Sequence, residues 1–218
     1  MKISYAITTH NETTELERLL GFLSRRKDAE DEIVILDDYS TNLATGDIIE
    51  RYSYIIGAKT WKYEQRKLDM DFASQKNYLT RMCTGDYIFN IDADEVPHET
   101  LMAQLKQILE INDTELIWVP RVNTVEGLTQ DHIQKWGWRV SDKGWVNYPD
   151  YQARVFRNHK DIKWTRPLHE YITGSKTYAH LPPHEELSLY HPKTIQKQEQ
   201  QNMFYINNFN QDLLVRKV

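Results

Sequence analysis

Residues 33–36 read Ile-Val-Ile-Leu, an unbroken apolar run that stops on Asp37-Asp38. Residues 87–91 read Tyr-Ile-Phe-Asn-Ile and stop on Asp92-Ala93-Asp94-Glu95. A strand with one wet face alternates apolar and polar side chains, so runs without that alternation belong to strands covered on both sides, as in a parallel sheet between helices. Ile3–Thr8 reads as a first strand of this kind. After it, Leu16, Leu19, Leu20 and Leu23 recur at helical spacing, with Thr14 and Glu17 placed for a capping box. A short strand is expected at Tyr54–Gly57, and a helix over Asp71–Met82 with Phe72, Leu79 and Cys83 on one side. Pro97 precedes a further helix bearing Leu101, Leu105, Ile108 and Leu109. The expected fold is α/β, a mainly parallel sheet flanked by helices, with two carboxylate clusters just past strand ends.

From Leu116 the texture changes. Leu116–Val119 reads as another strand, but residues 121–185 hold four of the six tryptophans (Trp136, Trp138, Trp145, Trp164) and little helical periodicity, which suits β-ribbons and long loops. Thr194–Asn210 is rich in Gln and Asn, with Ile195, Met203, Tyr205, Ile206 and Phe209, and reads as a docked helix followed by a tail. With no repeat or flexible linker in view, residues 1–218 are expected to form one domain, of which 1–120 is the ligand-binding half.

The 27 Lys and Arg against 32 Asp and Glu give a formal charge of −5, which removes any argument for nucleic acid from overall charge. A single cysteine, Cys83, excludes an intrachain disulfide framework and a multi-cysteine zinc site. No apolar run approaches the ~20 residues of a membrane span, and the N-terminus turns polar too soon for a signal peptide. The expected location is the cytoplasm.

In open α/β sheets ligands bind beyond the carboxyl ends of the strands. Here the loops are Thr8–Glu12, Asp37–Thr41 and Asp92–Glu95, all polar. No GxGxxG follows the first strand and no GxxxxGK[ST] occurs, so a nicotinamide dehydrogenase or a P-loop enzyme is not expected. Asp92 and Asp94 lie two residues apart on extended chain, roughly 7 Å at ~3.3 Å per residue and on one face. Such a pair can hold Mg²⁺ or Mn²⁺ together with phosphate oxygens, although acidic strand ends also serve as caps and turns.

The set "ITTHNE", "VILDDYST", "FASQKNYL" and "YIFNIDADE", in this order over residues 1–120, resembles the family 2 glycosyltransferases of the GT-A fold. "YPDYQARVFRN", "PLHEYI" and "LSLYHP" further resemble the lipopolysaccharide-core, WaaE-like branch. The resemblance implies a metal-dependent inverting transfer of a hexose, glucose from UDP-glucose being favoured, to a hydroxyl of a glycan or lipopolysaccharide core. It implies that Thr8, His10, Asn11 and Glu12 line the nucleotide site, that Asp38 bonds the base or ribose while Asp37 holds its loop, and that Gln75, Lys76 and Asn77, with Arg66 nearby, face the nucleotide. Asp92 and Ala93 would meet the sugar or ribose, and Asp94 with His191 would hold Mn²⁺ or Mg²⁺. Glu170 is the first candidate for the base that takes the acceptor proton and Asp150 the second; the family's usual Glu-Asp pair has no late equivalent, since Glu30-Asp31 comes too early.

Plainer roles stand beside these. Asp37 and Asp38 suit an ordinary turn, His169 and His191 suit hydrogen-bonded structural histidines, Lys76 suits a solvated helix face, and Arg154 and Arg157 suit solvent or surface acids. Trp136, Trp138 and Trp145 suit either an acceptor sugar or a satellite core. A glycolipid acceptor would place the chain peripherally at the inner membrane. A hydroxymethylated DNA base is the alternative acceptor, for a phage enzyme in host cytoplasm, with Arg154, Arg157, Lys160, Lys163 and Arg166 as a basic strip. "VILDDYST" also resembles the aspartyl-phosphate loop of haloacid-dehalogenase-like phosphatases, with Asp37 as nucleophile, and a non-catalytic sugar-nucleotide-binding module completes the alternatives.

Overall fold

The apolar runs become the middle of a seven-stranded sheet in a computed structural model that describes residues 1–214. In chain order the first half contains β1 (Ile3–Thr9), α1 (Thr14–Arg26), β2 (Glu32–Asp37), α2 (Leu43–Ile56), β3 (Trp61–Gln65), α3 (Phe72–Met82), β4 (Tyr87–Asp92), β5 (Val96–Pro97) and α4 (Glu99–Asn112). The second half adds β6 (Leu116–Val119), β7 (Arg121–Glu126), α5 (Gln130–Trp136), β8 (Gln152–Arg157), β9 (Lys163–Thr165), β10 (Tyr171–Thr173), β11 (Tyr178–His180), β12 (Leu189–Thr194), α6 (Ile195–Asn208) and the single turn α7 (Gln211–Leu214). Positions 215–218 of the expected domain lie outside the described residues.

The large sheet has the order β11-β6-β8-β4-β1-β2-β3. β4, β1, β2 and β3 are parallel, and β8 runs against both of its neighbours. Because side chains alternate along a strand, its two faces carry separate cores. Ile3, Tyr5, Ile7, Ile33 and Ile35 pack with the leucines of α1 and α4, whereas Ala6, Val34, Leu36 and Ile88 pack with Ala73 and Leu79 of α3. The chain passes from β1 to β2 in one direction, and β4 pairs on the other side of β1, so a crevice opens between β1 and β4 at their carboxyl ends.

Three local expectations change. The segment 54–57 is not a strand but the end of α2. Asn42 caps that helix by accepting the Ala44 N–H, and Thr45, Ile48, Ile49 and Tyr52 form its buried stripe, which leaves Tyr54 and Ile55 in solvent. The third strand comes later, at Trp61. The capping box at Thr14 and Glu17 does not form, because α1 starts one residue earlier: Glu17 donates its N–H to the Thr13 carbonyl, and its carboxylate pairs with Arg51. On α3 the buried residues are Ala73, Gln75, Lys76 and Leu79, while Phe72 turns toward Tyr205 and Phe209 of the C-terminal helix region. The docked helix expected from Thr194 is α6, with the Thr194 side chain accepting the Lys197 N–H.

Candidate functional site

Strand register sets the site. Thr8 lies beside Asp92 across the β1–β4 pair, and Thr9 beside Asp37 across β1–β2, so the three polar loops leave the sheet side by side. They form one wall of a cavity of about 710 Å³ lined by Thr8, His10, Glu12, Asp38, Gln75, Lys76, Asp92, Ala93 and Asp94, and closed from the other half of the chain by Arg121, Arg154, Glu170, His191 and Tyr205.

The Asp37 side chain holds the second loop. It accepts from Ser40 N and Oγ, from Tyr63 Oη and from Gln65 Nε2, and it is 1% exposed. That burial and saturation remove Asp37 as a phosphatase nucleophile. Asp38 accepts the Leu68 N–H, and its backbone carbonyl lies 2.7 Å from His10 Nδ1. Asn11 points away from the cavity; its Oδ1 accepts from Thr41 N and Asn42 N, tying the first loop to the second. Asn77 also serves structure, gripping the Trp164 backbone at 2.8 and 3.0 Å. Arg66 is used internally, donating to Gln75 Oε1 while Gln75 donates back to its carbonyl.

Asp92 and Asp94, two residues apart, meet different environments. Asp92 lies 3.2 Å from Lys76 Nζ and 2.5 Å from Arg154 Nη2. Burial opposes its charge, and Arg154 followed by Lys76 outweighs burial, so the carboxyl is held below the usual carboxylate range. Lys76, over the Trp164 ring, also binds Glu170 Oε1 at 2.7 Å. Arg154 continues to Glu95, which is fully buried and accepts from Arg121; Arg121 in turn reaches Asp150. Asp150 additionally accepts from Asn123 and Gln152, and lines a neighbouring cavity rather than this one.

Asp94 faces His191, with 3.4 Å between Oδ2 and Nε2. Burial opposes the Asp94 charge, and His191, Lys193 and Lys197 overcome it, keeping the carboxylate ionised well below its ordinary range. For His191, burial and then Arg121 lower the pKa, which favours the neutral ring at pH 7. Asn123 fixes the tautomer: its Nδ2 donates to Asp150, so its Oδ1 is the acceptor for His191 Nδ1–H at 2.7 Å. In this tautomer Nε2 is able to accept, so Nε2 and the Asp94 carboxylate can both serve as ligands, with Lys197 Nζ 3.5 Å from the same Asp94 oxygen. Two acceptors at that separation fit a cation between them. A hard divalent ion needs only one or two protein ligands when phosphate oxygens and water complete its shell. Among the described residues no group of three or more His, Cys, Asp or Glu is placed to hold a metal.

The basic strip proposed for DNA does not assemble. Arg154 is buried against Asp92 and Glu95, Arg157 leaves the opposite face of β8 to pair with Asp113, and Arg166 donates to the carbonyls of Asp212 and Leu213. Sequence reasoning missed Glu95, Arg121, Lys193, Lys197 and Tyr205 and underrated Arg154. One signal was present for Arg154: it sits in Ala-Arg-Val-Phe, a run buried throughout, where a cation is retained only with acidic partners.

Residues 4–206 match the model of the family described as Glycosyl transferase family 2. A glycosyltransferase of Rickettsia conorii is 30% identical over 107 residues, 49% of this chain and 34% of that protein. The poly(ribitol-phosphate) β-N-acetylglucosaminyltransferase TarP of Staphylococcus aureus is 27% identical over 53% of this chain and 35% of its own. The chain thus spans about a third of the length of these curated relatives. Among solved structures, S. aureus TarS 1-349 in complex with UDP-GlcNAc superposes with a TM-score of 0.62 at 16% identity, covering 88% of this chain and 59% of that one, and has the same GT-A fold. No helix among the described residues is long and apolar enough to cross a membrane.

Proposed function

Since the chain belongs to glycosyl transferase family 2, we propose that it transfers a sugar, with inversion, from a UDP-sugar to a hydroxyl of a carbohydrate acceptor. The observation that carries this reading is Asp94 Oδ2 facing His191 Nε2 at 3.4 Å at the mouth of the β1–β4 crevice. Support for the uridine nucleotide comes from the UDP-GlcNAc bound to TarS, and for a glycan acceptor from the named activity of TarP. The dispersal of the basic strip disfavours DNA.

Asp94 and His191 would hold Mn²⁺ or Mg²⁺, which when bound supplies positive charge to the departing diphosphate. The chain's own residues do the rest. Thr8, His10, Glu12 and Asp38 surround the nucleoside, and Lys76 and Arg154 keep Asp92 charged and fixed beside the sugar. An acceptor oxygen attacks the anomeric carbon, the bond from that carbon to the phosphate oxygen breaks with its electron pair leaving on UDP, and the hydroxyl proton passes to Glu170. Both carboxylates are engaged, Glu170 by Lys76 and Asp150 by Arg121, Asn123 and Gln152, and Glu170 is preferred because it lines this cavity.

The test is thermal melting with UDP, GDP, CMP and dTDP, with and without Mn²⁺. Saturating UDP with Mn²⁺ at ~100 times Kd stabilises by about 2.7 kcal/mol, or roughly 5–10 °C for a chain of this size. A larger shift with another nucleotide would replace the donor, and no shift with any of them would overturn the reading.

A further inference from the structure

Beside the first cavity lies a second, of about 890 Å³, between β7, α5 and α6. Both cavities are lined by Arg121, His169, His191, Lys193, Gln201 and Tyr205, so they meet across the wall that carries the Asp94–His191 pair. The far side of the second cavity carries Trp136 and Trp138, with ring centroids 4.6 Å apart.

These tryptophans are not a satellite core. α5 contains no buried residue, and both rings stay half-exposed. Even so, the local structure fixes their orientation closely. Thr129 and His132 form a reciprocal capping box at the start of α5, and the His132 ring then stacks on Trp136 at 5.2 Å. Gly137, at φ 62°, ends the helix in the left-handed conformation that suits glycine, and the Trp138 N–H returns to the Ile133 carbonyl. This turn brings Trp138 back over Trp136. The half-buried pair, its rings inclined by 47° and held in one geometry at the cavity edge, offers a V-shaped aromatic platform for a ligand with a flat apolar face.

The rest of the lining identifies that ligand. Asn147 comes from the loop before β8, and Gln198 and Asn202 from α6; Gln198 Nε2 donates to Asn202 Oδ1 and Asn147 Oδ1 accepts from Arg139 N, so the amides offer a ligand the Gln198 oxygen and the Asn147 and Asn202 NH₂ groups. Of the cations lining the cavity, Arg121 is engaged by Glu95 and Asp150 and Lys193 donates to Gln201, which leaves Lys135, opposed by the carboxylates of Asp150 and Glu199 in the same lining. A polyanion would need unspent Lys and Arg here. A pyranose, with C–H groups on its face and hydroxyls at its edge, matches an aromatic shelf rimmed by amides.

We propose that this second cavity is the acceptor site and takes a saccharide, one pyranose lying on Trp136 and Trp138 and a hydroxyl reaching the shared wall. The proposal rests on the transferase reading and deepens it by naming the acceptor class and the residues that select it.

The experiment uses the whole chain loaded with UDP and Mn²⁺. Maltotriose, cellotriose, lactose and a panel of methyl pyranosides are titrated by saturation-transfer NMR, with a 20-base-pair DNA duplex as the competing macromolecule. At least one saccharide should bind. W136A and W138A should each weaken it about tenfold or more, W136F should recover most of the affinity, and the UDP dissociation constant should stay within about twofold. Q198A, on a different element, should weaken the same saccharide about threefold and serves should either tryptophan variant melt early. Retained saccharide affinity in W136A/W138A, no saccharide binding to a chain that binds UDP, or preference for the duplex would each overturn the proposal. Failure of the wild-type chain to bind UDP would instead overturn the transferase reading.

Discussion

The two ends of the same parallel sheet are both crowded with buried charge, and the charge at the carboxyl end borders the cavity of about 710 Å³. At the amino end Glu32, 1% exposed, accepts from Ser4 Oγ, Thr84 N, Thr84 Oγ1, Lys2 Nζ and Lys62 Nζ, and Asp31 accepts from Ile3 N and Lys106. These contacts tie β1, β2 and β3 to the segment before β4, and among the described residues of the cluster Asp31 Oδ2 is the one buried oxygen without a hydrogen bond. At the carboxyl end Lys76, Arg154 and Arg121 fasten Asp92, Glu95 and Asp150 in the same manner, yet Asp94, with His191 at 3.4 Å and Lys197 at 3.5 Å, faces open volume. Buried charge by itself therefore does not mark a site. The mark is a charged group whose partners line a cavity instead of closing over it.

If that distinction holds, Asp94→Ala has the largest effect. UDP-sugar hydrolysis or transfer should fall at least about 10³-fold, the scale of losing charge stabilisation at a departing group, while the melting temperature stays within a few degrees because the contacts cut, to His191 at 3.4 Å and to the part-exposed Lys197 at 3.5 Å, are both long. A variant that turns over normally would place the chemistry elsewhere. Next comes Arg154→Met. It strands Asp92 and Glu95 in the interior, and removing one partner of a buried network costs about 3–5 kcal/mol, readable as a lower urea midpoint. An unchanged midpoint would mean that the carboxyl-end network contributes no stability.

The legibility of the sequence follows the same division. Loops at the ends of β1, β2 and β4 were readable because unbroken apolar runs announce doubly covered strands, and whatever follows such a strand lies at the carboxyl edge. The 54–57 segment misled because Tyr-Ile-Ile has the composition of a strand, and only the stripe Thr45, Ile48, Ile49 and Tyr52 shows the helix that contains it. Glu95, Arg121 and Arg154 were not readable as one unit, since they come from three elements separated by up to 59 residues and are joined only when β8 pairs with β4. α5 escaped notice because a helix with no buried residue has no apolar period to detect.

The smaller predictions test the amino end, where charge is argued to be structural. Glu32→Gln should leave turnover unchanged and cost about 1–3 kcal/mol, the penalty of weakening a buried acceptor. Burial raises the Glu32 pKa, and hydrogen bonds from Ser4 and Thr84, with Lys2 after them, reverse this and bring it to about 2. A folded-state pKa below the unfolded value gives stability that is fully present above about pH 4.5 and is lost as the pH falls toward 2. Chemical denaturation at pH 5, 4 and 3 should show this loss in the wild type, with a shallower slope in Glu32→Gln.

Lys2→Met should give the smallest change, and its smallness is informative. Lys2 is a third exposed, so its attraction to Glu32 is screened, and such pairs contribute about 0–1 kcal/mol. Lys62 Nζ, at 3.1 Å, remains as a second cation, and the Ser4 and Thr84 donors are untouched. The acid-side slope of stability should then almost coincide with that of the wild type. A loss as large as that of Glu32→Gln would mean that the amino end depends on one exposed cation.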